Sequence, residues 1–276
     1  MRRHPFATLL LHLVLIALAV VCLLPFAWLV LTALTPKGDL GSGLGWDRLT
    51  SLSPGNLLTL FRTQPMWAWL ANSLTLACAQ TVLTVVLSCL GGYALAKHRF
   101  AGRRAVLWLL LLTMMLPAQA LLPASYELMY HLGWLGSAKA IILPGAASAF
   151  GILLFRGAFR EVPDELLQAG RIDGAGELRL WWDVAVPCVR PMIGAYTLLV
   201  FTGAWNSFIW PQVILSDTAS YTLTVGAAAL AGSGEYQTDY GVVMAATVVG
   251  IVPVAVLFAV LQRDFVAGLT SGAVKG

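Results

Sequence analysis

Between Thr8 and Leu34 the chain carries no Asp, Glu, Lys or Arg, and five further strongly apolar runs follow it. They lie at about Leu70 to Ala96, Ala105 to Leu122, Ala138 to Phe155, Met192 to Val213 and Tyr240 to Leu261. A helix needs about 20 such residues to cross the hydrocarbon of a bilayer. No ordinary water-soluble domain has 59% hydrophobic and 11% charged residues, with a mean hydropathy of +0.80. The sequence therefore predicts an all-α, polytopic membrane protein with six transmembrane helices. Pro117, Pro123 and Pro144 interrupt the third and fourth runs. Backbone groups freed by proline must find protein or water, so the region around Gln119 is expected to face a cavity rather than lipid.

Basic residues set the orientation. With the N-terminus inside, the inner segments hold Arg2, Arg3, Lys97, Arg99, Arg103, Arg104, Arg156, Arg160, Arg171, Arg179, Arg190, Arg263 and Lys275. Lys37, Arg48, Arg62 and Lys139 remain outside. That bias predicts both termini in the cytoplasm. It also accounts for the net charge of +4, so no nucleic-acid partner is implied. The first run is too long for a cleaved signal and is expected to be retained as a span. Cys22, Cys78, Cys89 and Cys188 lie in or near spans without metal or redox spacing and are expected to act as small apolar fillers.

One polar stretch interrupts this pattern. Glu161 to Pro191 holds six of the 13 acidic residues, although membrane-length runs flank it. Pro163, Asp164 and Glu165 suit the first turn of a helix, where proline forfeits no needed N–H and acids meet the positive end of the dipole. Leu166, Ala169, Gly170 and Asp173 recur at helical spacing and predict a face of mostly small side chains open to another protein. Gly174 suits the left-handed residue that ends a helix. Leu178, Trp181, Trp182 and Ala185 predict a second short helix with both indoles at the membrane interface and with Glu177 and Asp183 in water. Pro187 and Pro191 mark the return to the bilayer. Pattern alone favours an amphipathic connector lying on the membrane.

The wording of this stretch resembles the cytoplasmic EAA loop of ABC importer permeases. The family pattern is EAA, three residues, Gly, nine residues, then Ile-x-Leu-Pro. Here it is Gln168-Ala169-Gly170, then Gly174, then Val184, Val186 and Pro187, with every interval kept. Arg171-Ile172-Asp173-Gly174-Ala175 resembles the carbohydrate branch of the family. Two departures are present: Gln168 replaces the usual Glu and removes a charge, and Gly170 replaces the usual Ala. The glycine costs about 1 kcal/mol of helix propensity, so the first loop helix is expected to lean on a partner for order.

The resemblance implies the type I importer permease fold, a single permease domain over residues 1–276, a coupling loop at 161–191 and a cytoplasmic tail at 262–276. It implies a bacterial inner-membrane location, a second homologous permease, an ATPase dimer holding ATP and magnesium, and an extracytoplasmic solute-binding protein. Leu166, Gln168, Ala169, Gly170, Asp173 and Gly174 are the expected contacts with the ATPase. The chain itself is expected to bind no cofactor or metal. The Trp205-Asn206 pair resembles the corresponding stretch of sugar permeases, where an aromatic face and an amide suit a pyranose. An interfacial aromatic belt with an interhelical Asn fits the same residues. Gln119 is a candidate pathway residue or an interhelical hydrogen-bonding group. The ending, with Gly268, Gly272 and Lys275, resembles permease tails that enter the ATPase dimer, or is simply a frayed terminus.

Several other functions are excluded by what the chain lacks. No G-x-x-x-x-G-K-[ST] occurs, and Gly41-Ser42-Gly43-Leu44-Gly45 lacks the lysine of a phosphate loop, so the chain is not itself an ATPase. Neither H-E-x-x-H nor G-x-S-x-G is present. The span interiors lack the Asp, Glu, Lys and Arg that proton-coupled carriers place at membrane depth. A carrier or channel working without an ATPase remains the alternative of another class. Within the importer class, glycerol 3-phosphate or another polar solute is the alternative cargo. His98, with no second ligand nearby in sequence, is expected to be solvated or to face lipid.

Overall fold

The computed structural model describes residues 5–36, 51–232 and 239–270. Among the described residues all regular structure is helical. In chain order the helices are α1 (Pro5–Leu34), α2 (Gly55–Thr63), α3 (Met66–Lys97), α4 (Arg103–Met114), α5 (Leu122–His131), α6 (Ala138–Ala146) and α7 (Ala149–Arg160). There follow α8 (Asp164–Ile172), α9 (Glu177–Cys188), α10 (Arg190–Trp205), α11 (Ile209–Ile214), α12 (Leu223–Gly232) and α13 (Tyr240–Thr270). Short 3-10 turns at Ala118–Leu121 and Thr218–Ser220 precede α5 and α12.

Three helical stretches, Thr8–Leu34, Met66–Lys97 and Tyr240–Val266, are long and apolar enough to cross a bilayer unbroken. The remaining runs are broken. α4 and the Ala118–His131 segment meet at 92°, next to Pro117, whose backbone is extended and which has no N–H to continue a helix. α6 and α7 meet at 42° around Ala147 and Ser148, where Ser148 Oγ caps α7 by accepting from Gly151 N at 3.1 Å. α9 and α10 meet at 85° beside Val189 and Pro191. Length and composition thus allow three crossings, or six if each bent pair counts as one.

The expected fifth run, Met192 to Val213, is not one helix. α10 stops at Trp205, and α11 begins only after Asn206, Ser207 and Phe208. The tail expected at 262–276 starts inside α13, which continues unbroken to Thr270. Gly268 lies within it, whereas Gly272 and Lys275 fall outside the described residues. The short helix α12 was not expected.

The chain divides into two compact units, one of residues up to Trp67 with Gly226–Val252, the other of Ala68–Val225 with residues from Pro253 onward. In the first, buried Asn56 donates to Ala33 O at 3.0 Å and Thr35 O at 2.8 Å, which satisfies carbonyls where α1 ends. The second holds two apolar cores. One gathers Cys89, Tyr93, Phe155, Phe159, Leu167, Leu180, Trp181 and Tyr196 around the 161–191 loop. The other joins Leu76, Met129, Ile141, Ile214 and Leu215. Gly92 allows α3 and α7 to touch, since a Cβ there would come within 2.5 Å of Phe155 Cβ and 2.7 Å of Arg156 N.

Candidate functional site

The loop from Glu161 to Pro191 folds as two helices with a left-handed joint. Pro163 caps α8 in extended conformation, and Asp164 and Glu165 fill its first turn. Its end is a Schellman motif: Gly174 has φ +81°, Gly174 N donates to Arg171 O at 3.0 Å, and Ala175 N donates to Gly170 O at 2.9 Å. Arg171 then reaches over the joint to Glu177, with Nε to Oε1 at 2.8 Å and Nη2 to Oε2 at 3.3 Å. This forked pair bridges the joint between α8 and α9.

α8 is amphipathic. Leu167 enters the core at 1% exposure, while Leu166, Gln168, Ala169 and Asp173 are exposed. Gly170 turns out of the expected open face: a Cβ on it would collide with Leu180 of the same chain. The missing side chain is therefore used inside the loop, to seat Leu180 against α8. Gly174 is open, with nothing within 4 Å of a built Cβ. Ile172, not among the expected contacts, is 87% exposed and extends the apolar part of this surface with Leu166 and Leu178.

α9 departs from the expected pattern. Leu180–Ala185 is π-helical, so burial follows a five-residue interval and Leu180, Trp181 and Ala185 all enter the core. Trp181 is thus a core residue and not an interfacial one; Trp182 alone of the two indoles is exposed. Trp182 and Leu178 border an open hollow of about 670 Å³ that is also lined by Glu177, Trp181 and Asp183.

The loop is tied to the end of α3. Lys97 Nζ donates to Val162 O at 2.5 Å and to Asp164 Oδ1 at 2.6 Å. Its side chain is only 6% exposed, whereas that of Asp164 is 71% exposed. His98, with its side chain 38% exposed, also faces the loop: Nε2 lies 3.5 Å from Glu177 Oε2, and its ring meets Tyr93 edge-on at 5.5 Å. The hydrogen bond from Lys97, and its charge, hold the Asp164 carboxyl below its ordinary value. The hydrogen bond from Arg171 does the same for Glu177, with further help from the charges of Arg171 and His98. Sequence reasoning missed this pairing of Lys97 and His98 with the loop acids. The available signal was charge complementarity between a short basic turn and an acidic loop.

Of the three pathway candidates, Trp205 and Asn206 are consecutive and Gln119 lies far from them in the chain; the three differ in exposure. Gln119 is exposed in the 3-10 turn of the sharpest bend. Trp205 is 3% exposed and stacks on Phe201 with centroids 5.8 Å apart and planes 16° from parallel. Its ring is therefore not open to a ligand in this conformation. Asn206 ends α10, its backbone N donating to Thr202 O, and its residue is exposed.

The family model described as "Binding-protein-dependent transport system inner membrane component" matches residues 84–270. The arabinooligosaccharides transport system permease protein AraQ of Halalkalibacterium halodurans is 33% identical over 263 residues, covering 94% of this chain and 93% of that protein. The sn-glycerol-3-phosphate transport system permease protein UgpE of Yersinia pestis is 37% identical over 205 residues, covering 74% and 73%. Among solved structures, a bacterial ABC transporter involved in the import of the acidic polysaccharide alginate contains a chain that superposes with a TM-score of 0.83 at 23% identity, covering 96% of this chain and 98% of that one. A bacterial alginate ABC transporter in complex with an alginate pentasaccharide-bound periplasmic protein matches with a TM-score of 0.63 at 15% identity, covering 92% and 93%. The described helices thus have the fold of an ABC importer permease, and the chain belongs to the family of inner membrane components of binding-protein-dependent transport systems.

Proposed function

We propose that this chain is one of two permease subunits of an ATP-driven importer for a carbohydrate, crossing the inner membrane six times with both termini in the cytoplasm. The observation that carries the cargo is the match to an arabinooligosaccharide permease over nearly the full length of both chains. The chain is a transport subunit and not an enzyme; ATP and magnesium belong to a partner ATPase dimer. An extracytoplasmic binding protein delivers the solute, in keeping with the periplasmic protein seated on the structural neighbour.

The coupling surface is the open side of α8 and its joint: Leu166, Gln168, Ala169, Asp173 and Gly174, joined by Ile172 and backed from inside by Gly170. Closure of the ATPase dimer moves this surface, and the energy it delivers must come from tighter binding in one transporter state than in the other. Gln168 replaces the family's carboxylate here, so this surface engages the ATPase through shape and apolar contact, without an ion pair at that position.

Glycerol 3-phosphate is the second cargo, supported by the 37% identity to its permease. Gln119 and Asn206 are uncharged, which suits sugar hydroxyls better than a phosphate. The test is to purify the complex in mild detergent, identify the co-purifying chains, and measure ATP-driven uptake of labelled pentose and hexose oligosaccharides and of glycerol 3-phosphate in liposomes. Sugar uptake that requires a co-purifying ATPase supports the assignment. Gradient-driven uptake by this chain alone overturns it.

A further inference from the structure

α3 is anchored at both ends by directed polar contacts, and these contacts lie on two different parts of the second unit. At its last turn, Lys97 holds Val162 O and Asp164 at the head of α8. Near its start, Trp69 Nε1 donates to Thr218 O at 2.8 Å, and Asn72 Nδ2 donates to Ala219 O at 2.9 Å and Tyr221 O at 3.1 Å. The buried Ser73 Oγ accepts from Leu223 N at 2.7 Å, where α12 starts. From Trp69 to Lys97 a continuous helix spans about 42 Å at 1.5 Å per residue.

We propose that α3 is the strut that carries displacement of the coupling loop to the Thr218–Leu223 segment, with Lys97 and Asn72 as the positioning residues at its two ends. This rests on the coupling role assigned to the loop. Three physical features support it. First, the apolar seat of the loop, made by Leu167, Leu180 and Trp181, is non-directional, and side chains in such a seat can slide. Lys97 adds direction: a nearly buried ammonium cannot leave both oxygens without paying its desolvation. Second, Glu177 meets His98, so the heads of both loop helices converge on consecutive residues at one end of α3. Third, α3 is held to its neighbours along its length as well as at its ends. Thr84 Oγ1 donates to Gly145 O at 3.1 Å, and Gly92 lets Phe155 against the backbone.

The test uses the assembled transporter in liposomes and reads solute taken up per ATP hydrolysed. Lys97→Met keeps the side chain's bulk and removes its donors, and Lys97→Arg keeps donors for both oxygens. In Lys97→Met the ratio should fall about tenfold, the worth of one charge-assisted hydrogen bond, with the ATPase still co-purifying. Lys97→Arg should restore most of it, which a purely packing role would not require. Asn72→Ala, at the far end, should lower the same ratio without loosening the ATPase. If Lys97→Met does not assemble, Asp164→Asn, which weakens the contact from its exposed side, takes its place with the same expectation. A normal ratio in Lys97→Met or its substitute, or in Asn72→Ala, overturns the strut while leaving the importer standing. Failure of any ATPase to bind the unaltered chain overturns the coupling role and the strut with it.

Discussion

Gly174 allows backbone strain to be separated from partner contact in a single pair of variants. Its φ of +81° is left-handed, and nothing of this chain lies within 4 Å of a Cβ built there. Gly174→Ala therefore pays only the backbone cost of an L-residue in that region, about 1–2 kcal/mol. Gly174→Phe carries the same backbone cost, and its Cβ likewise meets no atom of the chain within 4 Å. Thermal melting of the two purified variants in detergent should consequently agree, with both slightly below the parent. Their behaviour in the assembled transporter should diverge: Gly174→Ala retains most ATP-driven uptake, and Gly174→Phe inserts and folds but loses uptake because its ring occupies the ATPase contact. Equal uptake by the two would refute a partner at this position. Full uptake by the Phe variant would remove Gly174 from the coupling surface altogether.

Neighbouring leucines make a second contrast. Leu167→Ala, at 1% exposure, should cost about 2–5 kcal/mol of loop stability, seen as faster amide exchange over Asp164–Ile172. Leu166→Ala, on the open side, should leave that exchange within about 0.5 kcal/mol of the parent and weaken ATPase retention in a pull-down instead. Gly170→Ala gains about 1 kcal/mol of helix propensity but forces Leu180 to move at about 1–3 kcal/mol, so a net loss of loop protection is expected; stabilisation would contradict the packing described. The Asp164 and Glu177 carboxyls are both depressed, so their contribution to docking is complete above their ordinary values of 3.8 and 4.5 and disappears as pH falls through the lower folded values. Amide exchange over Asp164–Ile172, corrected for its intrinsic pH dependence, should show constant protection from neutrality down to the ordinary carboxyl values and a progressive loss below them.

Much of the fold was legible because a bilayer imposes simple rules. Runs such as Thr8 to Leu34 leave few options but helix, and Pro117 announced the sharpest bend. The joint at Gly174 was legible because only a few residue types enter a left-handed cap. What escaped was long-range pairing. Lys97 and Asp164 are 67 positions apart, and a periodicity confined to one helix contains no information about such a contact. Gly170 was expected on the open face for a related reason: helical spacing gives direction but does not say which neighbour fills the space. Trp181 was assigned to the interface because a 3.6-residue period was applied to a stretch that winds with a longer one. Trp205 carried the chemistry of a sugar contact, yet Phe201, four residues earlier, already occupies a face of its ring.

The π-helical stretch also determines where this loop can tolerate a change in length. Leu180–Ala185 holds a wider turn than an α-helix of the same span requires. Deleting one residue there would let the turn tighten to α geometry, leaving the Arg171–Glu177 pair before it and the bend at Val189 after it in register. The same deletion in α8 has no such slack to draw on and would rotate Leu167 away from its seat by about 100°, one residue's share of an α-helical turn. Homologous loops that differ by a single residue are thus expected to place the gap between Leu180 and Ala185, and a shortened loop made at that place should still couple.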